Sequence, residues 1–214
     1  MYDLHTHTIL SDGELLPCEL LRRMAVLGYK TVAITDHADM SNISNTISAI
    51  ERVRSSAELY GIHLLTGVEI THVPPGEIPT LARLAKNEGA DIVVVHGETV
   101  VEPVSPGTNM AACTCEYVDL LAHPGLISIE EGTEAAARDI FLEITARGGH
   151  NRTNGHVVRV AQETGCSLVI DSDAHSPGDL MSKRAREIIA QGAGIPVHAI
   201  AGILTLKTNR FYQI

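Results

Sequence analysis

The sequence predicts an α/β protein built on a parallel sheet or barrel. Three observations carry this. Seven short apolar runs alternate with seven longer helix-type stretches, the repeated βα order of a parallel sheet. Each run is apolar nearly throughout, as suits parallel strands covered on both faces. Imidazole and carboxylate side chains stand at the C-terminal ends of the runs, spaced by about one βα unit.

The first run, residues 2–5, leads into His5, His7 and Asp12, and a helix at 17–27 follows, opened by Pro17 and closed by Gly28. The second run, 31–35, leads into Asp36 and His37, and one helix is expected over 45–60, ending at Gly61. The third, 63–69, ends on Glu69 ahead of a helix at 79–87 that Pro79 opens and Gly89 closes. The fourth, 92–96, ends on His96, with a helix at 109–116; the fifth, 120–123, ends on His123, with a helix at 130–138. The sixth, 141–145, offers only Glu143, and its helix, 154–164, ends at Gly165. The seventh, 167–171, leads into Asp171, Asp173 and His175 before a helix at 183–190. Signals weaken beyond Pro196, where 199–206 is expected as a last outer helix. With no linker or low-complexity tract, residues 1–214 are expected to form one domain, large enough to bury a core without disulfides.

Successive ligand-type residues lie 30 (His7 to His37), 32 (to Glu69), 27 (to His96) and 27 (to His123) residues apart, and Asp173 follows 50 later. In a closed parallel barrel all strand C-termini surround one rim, so these groups would converge there. Carboxylates brought that close repel unless cations separate them. A mixed imidazole–carboxylate set suits Zn, Mn or Fe. Any one of these histidines alone would more often be an ordinary rim or core residue; the joint pattern carries the expectation.

Composition narrows the function. Histidine is abundant, at 11 residues, whereas aromatics make up 3% with no Trp, so the core must be mostly aliphatic. A formal net charge of −10 disfavours long nucleic acid and anionic membrane as partners, although bound cations can reverse the sign locally for a small anion. Cys18, Cys113, Cys115 and Cys166 form no C-x-x-C pair and read as small hydrophobes in a reducing compartment. The N-terminus has no basic segment followed by an apolar one, and no apolar run is long enough to span a bilayer, so a cytoplasmic location is expected. Oligomeric state has no signature in the sequence.

The segments DLHTHTILSDG (3–13), TDH (35–37), GVEI (67–70), VVVHGE (93–98), LLAHPG (120–125) and DSDAHSPGDL (171–180) resemble the polymerase-and-histidinol-phosphatase (PHP) superfamily of metal-dependent phosphoesterases. The resemblance implies a distorted TIM-like (β/α)7 barrel with its metal site at the C-terminal ends of the strands. It also implies two or three divalent ions. His5, His7, Glu69 and Asp173 would hold the first; Glu69, His96 and His123 the second; Asp12, His37 and His175 the third. Asp12 stands where some relatives use His, a harder ligand that favours Mn or Fe there.

The function expected is hydrolysis of a phosphate monoester of a small metabolite, as by a histidinol phosphatase, through metal-activated hydroxide. His37 or His175 would be the side chain protonating the leaving group. Nucleotide or oligonucleotide phosphoesterase activity, including exonuclease activity, and a non-catalytic metal-binding subunit are the alternatives. Asp36, Asp171 and Glu143 are candidates to orient the ligand imidazoles. For substrate, the loop ARGGHNRTNGH places Arg147, His150, Arg152 and Asn154 near the rim, with Arg152 the first candidate for gripping phosphate. The loop GETVVEPVSPGTN reads as an ordered lid carrying Glu98, Thr108 and Asn109, with Asn109 counted among the substrate-binding residues.

Overall fold

A computed structural model of the protein describes residues 1–205 and residue 211. Its strands are β1 (Tyr2–Asp3), β2 (Thr31–Ile34), β3 (His37–Ala38), β4 (His63–Ile70), β5 (Ile92–His96), β6 (Leu120–Ala122), β7 (Phe141–Thr145) and β8 (Leu168–Asp171). The α-helices are α1 (Pro17–Leu27), α2 (Ile43–Glu51), α3 (Arg54–Leu59), α4 (Ile78–Asn87), α5 (Thr108–Cys113), α6 (Ile129–Ala137), α7 (Asn154–Thr164), α8 (Lys183–Gly192) and α9 (Val197–Ile203). Seven strands neighbour one another in the order β1-β2-β4-β5-β6-β7-β8, and every pairing is parallel. The short β3 resumes the line of β2 and pairs with β4, setting His37 beside Glu69. Beyond the short β1, Thr6 bridges Ala174 in parallel, and backbone bonds from Asp173 N to His5 O (3.0 Å) and from His7 N to Ala174 O (2.9 Å) close the ring. The fold is the distorted seven-stranded barrel that the sequence predicts.

The barrel interior changes character along its axis. Alternate residues of a strand share a face, so Leu65, Gly67 and Glu69 of β4 form one inward column, with Ile92, Val94 and His96 on β5. Leu4, Ala33, Leu65, Ile92, Val94, Leu120, Ala122 and Val169 fill the N-terminal half as one aliphatic cluster. Gly67 is needed there, because a Cβ would lie 2.5 Å from the Ile92 side chain and 2.7 Å from its carbonyl oxygen. Larger clusters pack the outer strand faces against the helices. With the lower half filled, polar side chains entering the barrel collect in the upper half.

Two expectations need correction. The single helix at 45–60 is two, α2 and α3, interrupted at Arg52 and Val53. The interruption lets the Arg54 guanidinium reach Leu64 O (2.8 Å) and Asp91 (2.8 Å), tying α3 to the bottoms of β4 and β5. The last helix, expected at 199–206, is α9 at Val197–Ile203, and Leu206 lies outside the described residues. The four cysteines are free thiols; three are buried and Cys18 is half-buried. Among the described residues, no helix is long and apolar enough to cross a membrane.

Candidate metal centre

The strand ends bring nine expected ligand residues into one mouth. The donor atoms of His5, His7 and Glu69 lie within 4.8 Å of one another, as do those of His5, His123 and Asp173. So do those of Glu69, His96 and His123, and those of His7, Asp12, His37 and His175. Glu69 sits at the centre. Its Oε1 is 3.4 Å from His5 Nε2 and 3.5 Å from His123 Nε2, and its Oε2 is 2.7 Å from His37 Nδ1 and 3.6 Å from His7 Nε2. Asp12 Oδ1 lies 3.3 Å from His175 Nε2 and 3.5 Å from His37 Nε2.

Backbone and outer side chains fix which ring nitrogen faces the mouth. His5 gives its Nδ1–H to Glu143 Oε1 (2.8 Å), and Glu143 Oε2 accepts the backbone N–H of His123 (2.8 Å), so one buried carboxylate sets two imidazole-bearing strands. His96 donates Nδ1–H to Gly97 O (3.1 Å) and His175 to Asp173 O (3.0 Å). The Nε2 atoms of His5, His96 and His175 are left as the donors toward the mouth. Asp36 orients no imidazole. Its carboxylate accepts from Thr8 N, Thr8 Oγ1, Ser11 N and Ser11 Oγ, folding the turn that carries Asp12. Asp171 accepts from Leu4 N and so holds the strand beside His5. Glu143→Gln is expected to weaken metal binding about 10–100-fold while leaving the fold intact, as read by metal titration and circular dichroism.

The residues fit cations on chemical grounds. Glu69 and His5 are wholly buried, Asp173 nearly so, yet Glu69 Oε1, His7 Nδ1 and His123 Nδ1 make no hydrogen bond. His5 Nε2 and His7 Nε2 face each other at 3.0 Å, two nitrogens aimed at a shared point. Burial pulls the His5 imidazole down, but Glu143, Glu69 and Asp173 together carry it well above its ordinary range. Burial raises Glu69, but His5 and His37 outweigh it and hold the carboxyl well below its usual range. Burial depresses His7 to about 4, and it depresses His123 too, with His96 adding to the effect. Such a set of mutually compensating charges, short of hydrogen bonds, is one that divalent ions complete.

The substrate-side expectations fare unevenly. His150 is buried at the mouth, its ring 4.4 Å from that of His123. Arg152 is exposed and away from the cavity: Gly148 and Gly149 turn the chain into a short 3-10 helix, His150–Thr153, which points Arg152 outward. Arg147, one residue past the alanine that follows β7, lines the cavity instead, with its guanidinium 3.9 Å from Asp173 and 3.8 Å from Asp179. Asn109 is spent on structure. Its Oδ1 accepts from Glu98 N (2.9 Å) and its Nδ2 donates to Pro124 O (2.9 Å), which anchors the lid loop. Asn154 is likewise spent on structure: its side-chain amide bonds both backbone groups of Thr145. Glu98 accepts from Gly107 N and Asn109 N, so the loop's contribution to the mouth is Glu102, which the sequence did not single out. His72, also unforeseen, stands beside it.

The sequence matches the PHP domain family over residues 3–96. It is 48% identical, over 91% of this chain and 90% of the relative, to an uncharacterized protein of Methanocaldococcus jannaschii. The chain belongs to the PHP domain family. The chain is also 40% identical, over 69% of its length, to a 5′-3′ exoribonuclease of Escherichia coli. The match spans 55% of that enzyme. A two-domain Bacteroides vulgatus protein containing a predicted PHP-like metal-dependent phosphoesterase shares the fold, with a TM-score of 0.54 at 15% identity, over 88% of this chain and 61% of that one. A PHP domain whose mouth gathers these ligand groups is a metal-dependent phosphoesterase, a hydrolase of phosphoester bonds.

Proposed function

We propose that this PHP domain hydrolyses the phosphate monoester of a small molecule, using two or three divalent ions of the Zn, Mn or Fe class. The observation that carries the reading is the position of Glu69, whose two oxygens face the imidazoles of His5, His7, His37 and His123 at 2.7 to 3.6 Å. His5, His7, Glu69 and Asp173 would hold one ion, Glu69, His96 and His123 a second, and Asp12, His37 and His175 a third. When bound, the ions supply Lewis acidity toward water and toward the phosphoryl oxygens. His37 Nδ1 is engaged by Glu69 and Thr71, and His175 Nδ1 by Asp173 O, so each ring has one nitrogen, Nε2, for the mouth. With Nε2 given to a cation neither ring keeps a proton to donate there, so both act as ligands rather than as the acid for the leaving group.

Among the described residues Arg147 is the Lys or Arg that lines the cavity, and a guanidinium can grip a phosphoryl group with two hydrogen bonds. The cavity holds about 650 Å³, a volume typical of small-molecule sites. Among the described residues, its lining carries no Phe, Tyr or Trp on which bases would stack. These features favour a compact phosphorylated substrate. A second reading, release of nucleotides from a short oligonucleotide, is favoured by the likeness to the Escherichia coli exoribonuclease. A panel of sugar phosphates, mononucleotides and 5′-phosphorylated oligoribonucleotides distinguishes the two by relative kcat/KM. In either case Arg147→Ala is expected to lower kcat/KM by about 10–100-fold for the best substrate, and Arg152→Ala to leave it unchanged. Equal losses in both variants would overturn the assignment of the grip.

A further inference from the structure

Two side chains at the mouth, His72 and Glu102, are not among the nine ligand positions and cluster with one of them, His96. Glu102, carried on the loop between β5 and α5, stands among three imidazoles. Its Oε2 is 3.1 Å from His96 Nε2 and 3.5 Å from His72 Nε2, and its Oε1 is 3.4 Å from His150 Nε2. His72, Glu102 and His96 place one donor atom each within 4.8 Å of one another. Two imidazoles and one carboxylate with open positions form a donor set for a borderline divalent ion. His72 holds a left-handed backbone conformation, φ 53°, which costs a non-glycine residue energy and projects its ring toward His96, 4.8 Å between centroids.

The three donors form a gradient from water to interior. The His72 and Glu102 side chains are 48% and 40% exposed, whereas His96 is 4% exposed. His96 has committed Nδ1 to Gly97 O, so it offers one donor atom, Nε2. That same atom belongs to the inner group with Glu69 and His123. A neutral imidazole nitrogen binds one ion at a time, so the outer and inner positions compete for His96.

We propose that His72, Glu102 and His96 form an outer, exchangeable divalent-cation site through which ions enter and leave the inner centre. An ion is first taken from solvent by the two exposed donors with His96, and then moves inward as Glu69 and His123 replace His72 and Glu102. This rests on the reading of the mouth as a metal centre. An entry position lies on the path in both directions, so its loss slows loading and release alike and leaves the inner affinity and final occupancy unchanged.

The test follows Zn²⁺ transfer from a chromophoric chelator to metal-free protein by stopped flow, with release measured by transfer back to excess chelator. Final metal content is measured by elemental analysis. Wild type is compared with Glu102→Gln and His72→Ala. Both variants are expected to load and release at least about tenfold more slowly and to end with the metal content of wild type. Unchanged rates overturn the proposal. A lower final metal content in either variant also overturns it, because Glu102 or His72 would then be a resident ligand. Wild type that takes up no ion removes the metal-centre reading itself, a result distinct from the other two.

Discussion

Replacing Glu69 by Gln is expected to lower kcat/KM about a thousandfold and to reduce bound metal, measured on the same preparation by hydrolysis of an activated aryl phosphate and by elemental analysis. Gln keeps the volume of the side chain in a fully buried position, so the barrel is not expected to unfold. What is lost is the negative charge between His5, His7, His37 and His123, all within 3.6 Å of one or other carboxylate oxygen. A single carboxylate facing several donor groups bears on more than one ion, so its removal costs more than that of a peripheral ligand such as Asp12. Chelation of the wild type should reproduce the loss and added Mn²⁺ or Zn²⁺ should reverse it. A Gln variant that retains metal and activity would show that Glu69 is only a buried structural acid.

The depressed histidines of the metal-free mouth are expected to cost stability as pH falls from about 6.5 to about 4, opposed by Asp3, Glu143 and Asp171, whose carboxyls burial raises. His7 has an ordinary value of 6.5 and is depressed to about 4 by burial. In that window the unfolded chain binds a proton that the folded chain refuses, so acidification favours unfolding, by about 3 kcal/mol from His7 alone. His123, depressed by burial and by His96, and His150, depressed by burial, act in the same direction. His5 and His37 are raised, so their contribution is already complete below 6.5 and is lost only as pH rises through their folded values. Below about 4 the depressed carboxyls of Asp12, Glu69 and Asp173 add their own loss. Urea denaturation of chelator-treated protein at the two pH values reads the difference. A His7→Gln variant with the same pH profile as wild type would mean that His7 is more hydrated than its burial indicates. Bound ions compete with protons for the same nitrogens, so saturating metal should raise stability at pH 6.5.

Much of this was legible before the structure because strand ends repeat. A residue at the end of an apolar run has its position fixed by the barrel, so His5, Glu69, His96 and His123 were readable one strand at a time. Asp12 and His175 lie beyond their strands, yet the turn fixed by Asp36 and the bridge between Thr6 and Ala174 return them to the mouth. Loops have no such period. Arg152 and Arg147 sit in the same segment, and the Gly148–Gly149 turn, not spacing, decides which guanidinium faces inward. Glu98 and Asn109 looked like site residues and proved to be the ties of the loop that presents Glu102. Among the described residues Arg186 is the largest fully buried side chain, 4.3 Å over the Tyr2 ring and bonded to Ile170 O. A helix charge turned inward beneath a buried strand has no signature in hydrophobic pattern alone.

Anomalous scattering from crystals grown with Mn²⁺ or Zn²⁺ measures the central claim directly. Peaks are expected inside the mouth, at bonding distance from His5 and His7 Nε2 and from Glu69, with a second beside His96 and His123. Ions bound only outside the barrel, with these imidazoles and carboxylates contacting only one another, would contradict it.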